Sequence, residues 1–232
     1  MTKPLRSSKI EQSGRSGASA VAFPPTEGVG AHPESREVRL CQELGLTAES
    51  TVVDLGAGTG QFAIAAASVC ARVVAVDVSP VMLDILRAKV AATRLTNVEV
   101  AEAGFLSYEH RGGLADLVYS RYALHHLPDF WKAVALARLR GTLRQGGVFR
   151  LWDVVYSFDP AAAAEHLDSW VASASSDGDQ GWSRAELEEH VRDENSTFNW
   201  LLEPMMERAG FRIEQALYSD DGIFAKYVLR AT

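Results

Sequence analysis

Cysteine is scarce in this chain: only Cys41 and Cys70 occur in 232 residues. Two cannot make a disulfide framework, which excludes the stapled secreted scaffolds and leads to the expectation of a reducing, cytoplasmic compartment. No stretch reaches the ~20 apolar residues of a membrane helix, and the first residues lack the apolar run of a secretory signal, so no membrane span is expected. Positive charge is also short. The chain has 23 Lys and Arg against 30 Asp and Glu, a net charge of −7, which argues against general affinity for a phosphate backbone. No nucleic-acid partner is expected. His32, His110, His166 and His190 are scattered without metal-ligand spacing, and adjacent His125-His126 are not expected to turn both rings onto one ion. The sequence therefore predicts no metal site. Internal repeats of 20–50 residues are absent too.

What remains is an ordinary globular composition, 47% hydrophobic and 23% charged, long enough for one sizeable core. Residues 1–33 are rich in Ser, Gly, Ala and Pro and read as a flexible leader or an arm over the site. A short amphipathic helix is expected over Glu34–Leu46. Strand and helix signals then alternate. Apolar runs fall at Thr51–Leu55, Arg72–Val76, Val98–Ala101, Ala115–Ser120 and Val148–Val154, with helical stretches near Gln61–Cys70, Pro80–Thr93 and Phe130–Leu143. Near-continuous apolar strands, each followed by a helix, describe a parallel sheet covered on both faces. Gly146-Gly147 is read as the end of the third helix.

The C-terminus breaks the alternation. Phe211–Tyr218 and Ile223–Leu229 both read as strands, separated by Ser219-Asp220-Asp221-Gly222. Four residues cannot carry a parallel crossover, so the pair must be an antiparallel hairpin. The domain proper is 34–232, and 159–197 interrupts it as a helical, lid-like insertion. Inside that insertion Ser183-Arg184-Ala185-Glu186 forms a capping box at the start of a charged helix. Trp170, Trp182, Phe198 and Trp200 lie in or just after it and are expected to pack its core.

The chemistry concentrates in Val52-Val53-Asp54-Leu55-Gly56-Ala57-Gly58-Thr59-Gly60, a strand running into three alternating glycines and then a helix. Glycines there allow positive φ and close ligand approach. The helix start favours an anionic group. A dinucleotide fingerprint needs glycine at its sixth position, where this chain has Gln61. Asp77 ends the second strand, where a carboxylate can hold ribose hydroxyls. Ser79 before Pro80 is the better helix cap, which frees Asp77.

Together, Asp54–Gly60, Val76-Asp77-Val78-Ser79-Pro80-Val81-Met82-Leu83, Leu124-His125-His126-Leu127-Pro128-Asp129 and Leu143-Arg144-Gln145-Gly146-Gly147-Val148 resemble the ordered motifs of class I S-adenosylmethionine-dependent methyltransferases. More narrowly, they are similar to the small-molecule branch with quinone-biosynthesis and sugar O-methyltransferases. The resemblance implies a Rossmann-like α/β fold of seven strands, mostly parallel with an antiparallel C-terminal hairpin. It implies S-adenosylmethionine as cofactor, S-adenosylhomocysteine as product and a small soluble methyl acceptor, with oxygen as the acceptor atom. A homodimer is left open. By position, Gly56, Gly58 and Gly60 would contact the methionine part, with Asp54 supporting the loop. Asp77 would hold the ribose, and Val78 and Met82 would pack on adenine. Gly104-Phe105 stands where the family often has an aspartate for the adenine amino group; Phe105 is expected to stack on the ring instead, and a two-residue shift would bring Glu102 there. Ser120 matches the position whose backbone faces the cofactor's amino group. Related enzymes use a histidine in the fourth-strand motif, some with an aspartate at the Asp153 position, so His125 or His126 with Asp153 is the expected general base. Two other readings remain: a protein that binds the cofactor without turnover, and a nicotinamide oxidoreductase, against which Gln61 and the hairpin both speak.

Overall fold

A computed structural model describes residues 33–174 and 183–232. The expected leader (Pro33 apart), Trp182 and most of the loop before it lie outside the described residues. The described residues form eight strands: β1 (Thr51–Leu55), β2 (Arg72–Asp77), β3 (Val98–Glu102), β4 (Ala115–Arg121), β5 (Leu143–Tyr156), β6 (Thr197–Phe198), β7 (Phe211–Tyr218) and β8 (Phe224–Ala231). Seven of them make one continuous order, β3-β2-β1-β4-β5-β8-β7, and two-residue β6 pairs separately with the end of β5. β1 to β5 run parallel, while β8 is antiparallel to both β5 and β7. This is a Rossmann-like sheet, mostly parallel and closed by an antiparallel C-terminal hairpin, as the short spacer between the last two strands demands.

Among the described residues seven α-helices accompany it: α1 (Pro33–Glu43), α2 (Gln61–Ala67), α3 (Pro80–Ala92), α4 (Asp129–Thr142), α5 (Ala163–Ala172), α6 (Arg184–Asp193) and α7 (Asn199–Arg208). Cys41, Phe62, Leu83 and Leu86 from α1 to α3 bury one face of the sheet. On the other, Ala135, Leu136, Leu139, Leu202 and Met206 from α4 and α7 do the same. Burial on both faces explains why β1, β2 and β4 read as unbroken apolar runs rather than alternating ones.

The local signals act as the residues require. Ser79 caps α3, its hydroxyl accepting the Met82 N–H, with Pro80 at the first helical position. Both halves of the Ser183–Glu186 capping box are present. One boundary differs. The helix α4 stops at Thr142, and Gly146-Gly147 lies within β5, not at its entry. The pairing jumps from Ala115↔Leu143 to Leu117↔Val148, so residues 144–147 form an irregularity, with Gly146 at φ +72°. A Cβ on Gly147 would lie 3.0 Å from the Arg144 carbonyl oxygen. The glycine pair therefore turns a strand, not a helix end.

Trp170 and Leu187 of the insertion form a small core with Val154, Phe158 and Ile223 from outside it. Phe198 packs against it, and Trp200 is largely exposed, stacked on Phe198 at 5.6 Å between ring centroids. Among the described residues, no helix is long and apolar enough to cross a membrane.

Candidate cofactor and acceptor site

The strand order reverses direction between β1 and β4, and in open α/β sheets ligands bind beyond the carboxyl ends of strands at such a point. The turn after β1 sits there. Gly56 and Ala57 donate backbone N–H bonds to the Val76 carbonyl at 2.9 and 3.0 Å, tying the turn to the end of β2. Gly56, Gly58 and Gly60 all have positive φ, at 76°, 52° and 80°. Their surroundings differ. A Cβ on Gly56 would meet the Ala123 Cβ at 2.4 Å, and one on Gly60 the Leu86 Cδ1 at 2.0 Å, whereas nothing lies within 4 Å of one on Gly58. Two glycines allow packing; the third opens onto space.

Asp77 is joined to this turn. One carboxylate oxygen accepts the Gly58 N–H at 2.8 Å and the other the Ser79 N–H at 2.8 Å. Val78 and Met82 are exposed beside it, at 69% and 41% of their surface. Gly104 lies under Val78, since a Cβ there would meet the Val78 Cγ1 at 2.8 Å, while exposed Glu102 pairs with Asp77 across the strands. Phe105 is 8% exposed and belongs to the core cluster, while the exposed apolar surface beside Asp77 is that of Val78 and Met82.

Buried polar atoms mark the floor of the site. Asp54 is 2% exposed; it accepts the Ala63 N–H, yet its Oδ2 has no partner among the described residues. Burial pushes its carboxyl up to about 8. The Ser120 hydroxyl, fully buried at the end of β4, also has no partner there. Unpaired buried polar atoms are costly and call for a partner. A glycine cradle open at Gly58, a ribose-type carboxylate on its rim, an exposed apolar shelf and an orphaned acid fit an amino-acid-bearing nucleoside such as S-adenosylmethionine.

The acceptor side is built after β4. Tyr122 holds the left-handed region at φ 51°, rare for a bulky residue and a mark of a constrained site, and its N–H is bound to the Trp152 carbonyl at 2.9 Å. The short 3-10 turn Leu124–His126 follows. Asp153 organises it: one carboxylate oxygen accepts the Leu124 N–H at 2.8 Å and the His125 N–H at 3.2 Å, and the other takes the His125 Nδ1. Both partners are buried, His125 at 5% and Asp153 at 1%. The expected His–Asp pair is therefore assembled, with His125 as its histidine.

His126 is half-exposed and finds a different partner, Glu194, at 2.7 Å from its Nδ1. His190 lies edge-on to His125, 4.9 Å between ring centroids, with its Nε2 against the Ser196 hydroxyl. Burial, and then the neighbouring His125, lower its pKa to about 4. The sequence did not single out Glu194. It sits beside Glu188, Glu189 and Asp193, and nothing local distinguishes it from these acidic neighbours. A second missed group is Trp152, which lies between the Arg121 guanidinium at 4.0 Å and the Lys226 ammonium at 3.8 Å; only the sheet pairing of β4, β5 and β8 brings these together.

Residues 52–147 match the family model described as a methyltransferase domain. Over that span the chain is similar to methyltransferase domains. It is 29% identical over 174 residues to the uncharacterized methyltransferase YcgJ of Bacillus subtilis, covering 75% of this chain and 59% of that relative's length. An S-adenosylmethionine-dependent methyltransferase from Clostridium acetobutylicum shares the fold, with a TM-score of 0.64, 13% identity and coverage of 85% and 90%. So does the cyclase SpnF, with a TM-score of 0.64, 14% identity and coverage of 85% and 81%. The matched span contains the glycine turn, Asp77 and both histidines of the turn after β4; Asp153 and the insertion lie beyond it.

Proposed function

We propose that this chain is an S-adenosylmethionine-dependent methyltransferase acting on a small molecule, with oxygen as the acceptor atom. The observation that carries the reading is the open glycine turn bonded through the Gly58 N–H to Asp77, above the orphaned Asp54 Oδ2. Asp77 would hold the ribose hydroxyls, Val78 and Met82 the adenine, and Gly56, Gly58 and Gly60, with the Ser120 backbone, the methionine end. When bound, the cofactor supplies a methyl group on a sulfonium that is already a reactive donor. The protein then needs to hold the acceptor in line and keep water out.

His125 is the base in this reading. With Nδ1 held by Asp153, its Nε2 has no hydrogen-bond partner among the described residues and is free to take the acceptor's proton. The insertion supports the role of a lid: its Trp170 and His190 are buried, and His190 packs against His125.

Calorimetry tests the cofactor reading directly. S-adenosylhomocysteine should bind one per chain while a nicotinamide dinucleotide does not; the reverse outcome would overturn it. A screen of phenolic and other hydroxylated acceptors for methyl-donor consumption then tests turnover. Gly104 at the usual acidic position and the shared fold of a cyclase favour one alternative, a binder without methyl transfer. Tight product binding with no turnover on any acceptor would favour it.

A further inference from the structure

We infer that His125, His126 and Glu194 form a binding site for one transition-metal dication of the zinc class, at the junction of the turn after β4 and the helical insertion. One ligand atom from each residue lies within 4.8 Å of the other two. Two imidazoles and a carboxylate are a donor set that holds zinc while leaving a fourth position open.

Sequence adjacency argued against the two histidines sharing an ion. The 3-10 turn sets their rings 4.3 Å apart and tilted by 54°, and Glu194, distant in the chain, supplies the third donor. His126 Nδ1 and the Glu194 carboxylate are already 2.7 Å apart. Two ligands on a tetrahedral zinc stand roughly 3.3 Å apart given its ~2.0–2.1 Å bonds, so a small outward movement would admit the ion.

The surroundings hold these donors in place. Asp153 occupies the Nδ1 of His125 and directs Nε2 away from itself, the outer carboxylate that zinc-binding histidines commonly carry. Glu194 is fixed by its neighbour: the Asn195 N–H donates to the His125 carbonyl at 3.0 Å and its side-chain amide to the His126 carbonyl at 3.1 Å. The buried Lys132 ammonium in turn donates to the Asn195 carbonyl. Asp153 and Glu194 together offer the negative charge that a dication needs. His190 is not counted as a donor, because its Nε2 faces Ser196.

Binding stands without the methyl-transfer reading; its catalytic meaning rests on that reading. A dication on His125 Nε2 would displace the imidazole as base and instead acidify an acceptor hydroxyl placed at the open position.

The test uses tag-free, metal-stripped full chain titrated with Co2+ at neutral pH, followed by visible absorption and calorimetry. One Co2+ per chain with ligand-field bands, displaced by Zn2+, is expected. E194Q and H126Q, both at solvent-accessible positions, should weaken uptake at least ~10-fold, while H166Q, away from the cluster, should not. No saturable uptake, or equal uptake in E194Q and H126Q, would overturn the site. S-adenosylhomocysteine binding is measured in parallel: its absence from wild type counts against the methyltransferase reading alone and leaves the cobalt result to decide the site.

Discussion

Gly56 and Gly58 share a motif and a positive φ, yet the structure gives them different work. Gly56 is packed on Ala123, so Gly56→Ala combines left-handed strain with overpacking and should cost about 2–4 kcal/mol in denaturant unfolding. Gly58 faces open space. Gly58→Ala should cost only about 1–2 kcal/mol while weakening S-adenosylhomocysteine at least ~10-fold, because the new Cβ enters the space the ligand would fill. Equal stability losses with unchanged affinity would contradict that division. Asp54 adds a pH signature. Burial raises its carboxyl from 3.8 to about 8, so between those values the folded chain holds a proton that the unfolded chain has released. Stability then falls as pH rises from about 4 to about 8 and levels off above, the reverse of an ion-paired aspartate. In Asp54→Asn that part of the slope should vanish, as thermal midpoints across this range would reveal.

At the scale of elements, the capping residues and the hairpin spacer were legible because they act on their own neighbours. Ser79 and Ser183 cap the helices their positions predict, since a hydroxyl reaches a backbone N–H only three residues away. The start of β5 was not legible, because Gly146-Gly147 suits both a helix end and a strand irregularity, and the choice is made by pairing with Ala115 across the sheet. The helix α6 carries a consequence for the site. It holds His190 against His125 and delivers Glu194 to His126, so loosening it should loosen the acceptor side. Ser183→Ala should cost about 1 kcal/mol of helix stability. Hydrogen exchange should then quicken across 184–194 with little change in β1 and β4, since local opening at the periphery does not require unfolding the core. A uniform rise throughout the sheet would show instead that the insertion and the sheet unfold as one unit.

Across the whole molecule, the two cysteines report how closed the core is. Cys41 and Cys70 lie in the same cluster between α1, α2 and the sheet, 0% and 6% exposed. Desolvation lifts their thiols to about 12 and about 11, leaving almost no thiolate at neutral pH. Iodoacetamide should label neither in the native protein and both in denaturant, by mass spectrometry. Native labelling of Cys41 would mean that α1 detaches from the sheet in solution.

Sequence alone determined the order and kind of the elements, the glycine turn with its carboxylate at Asp77, and the antiparallel end of the sheet. These follow from periodicity, backbone geometry and chain length, which act over a few residues. Tertiary structure decided the rest: that Phe105 faces the core, that Asp153 takes His125 rather than His126, and that Glu194 reaches His126 from 68 residues away. Partners that distant in the chain meet only through strand pairing and helix packing, and neither leaves a local pattern at the residues it joins.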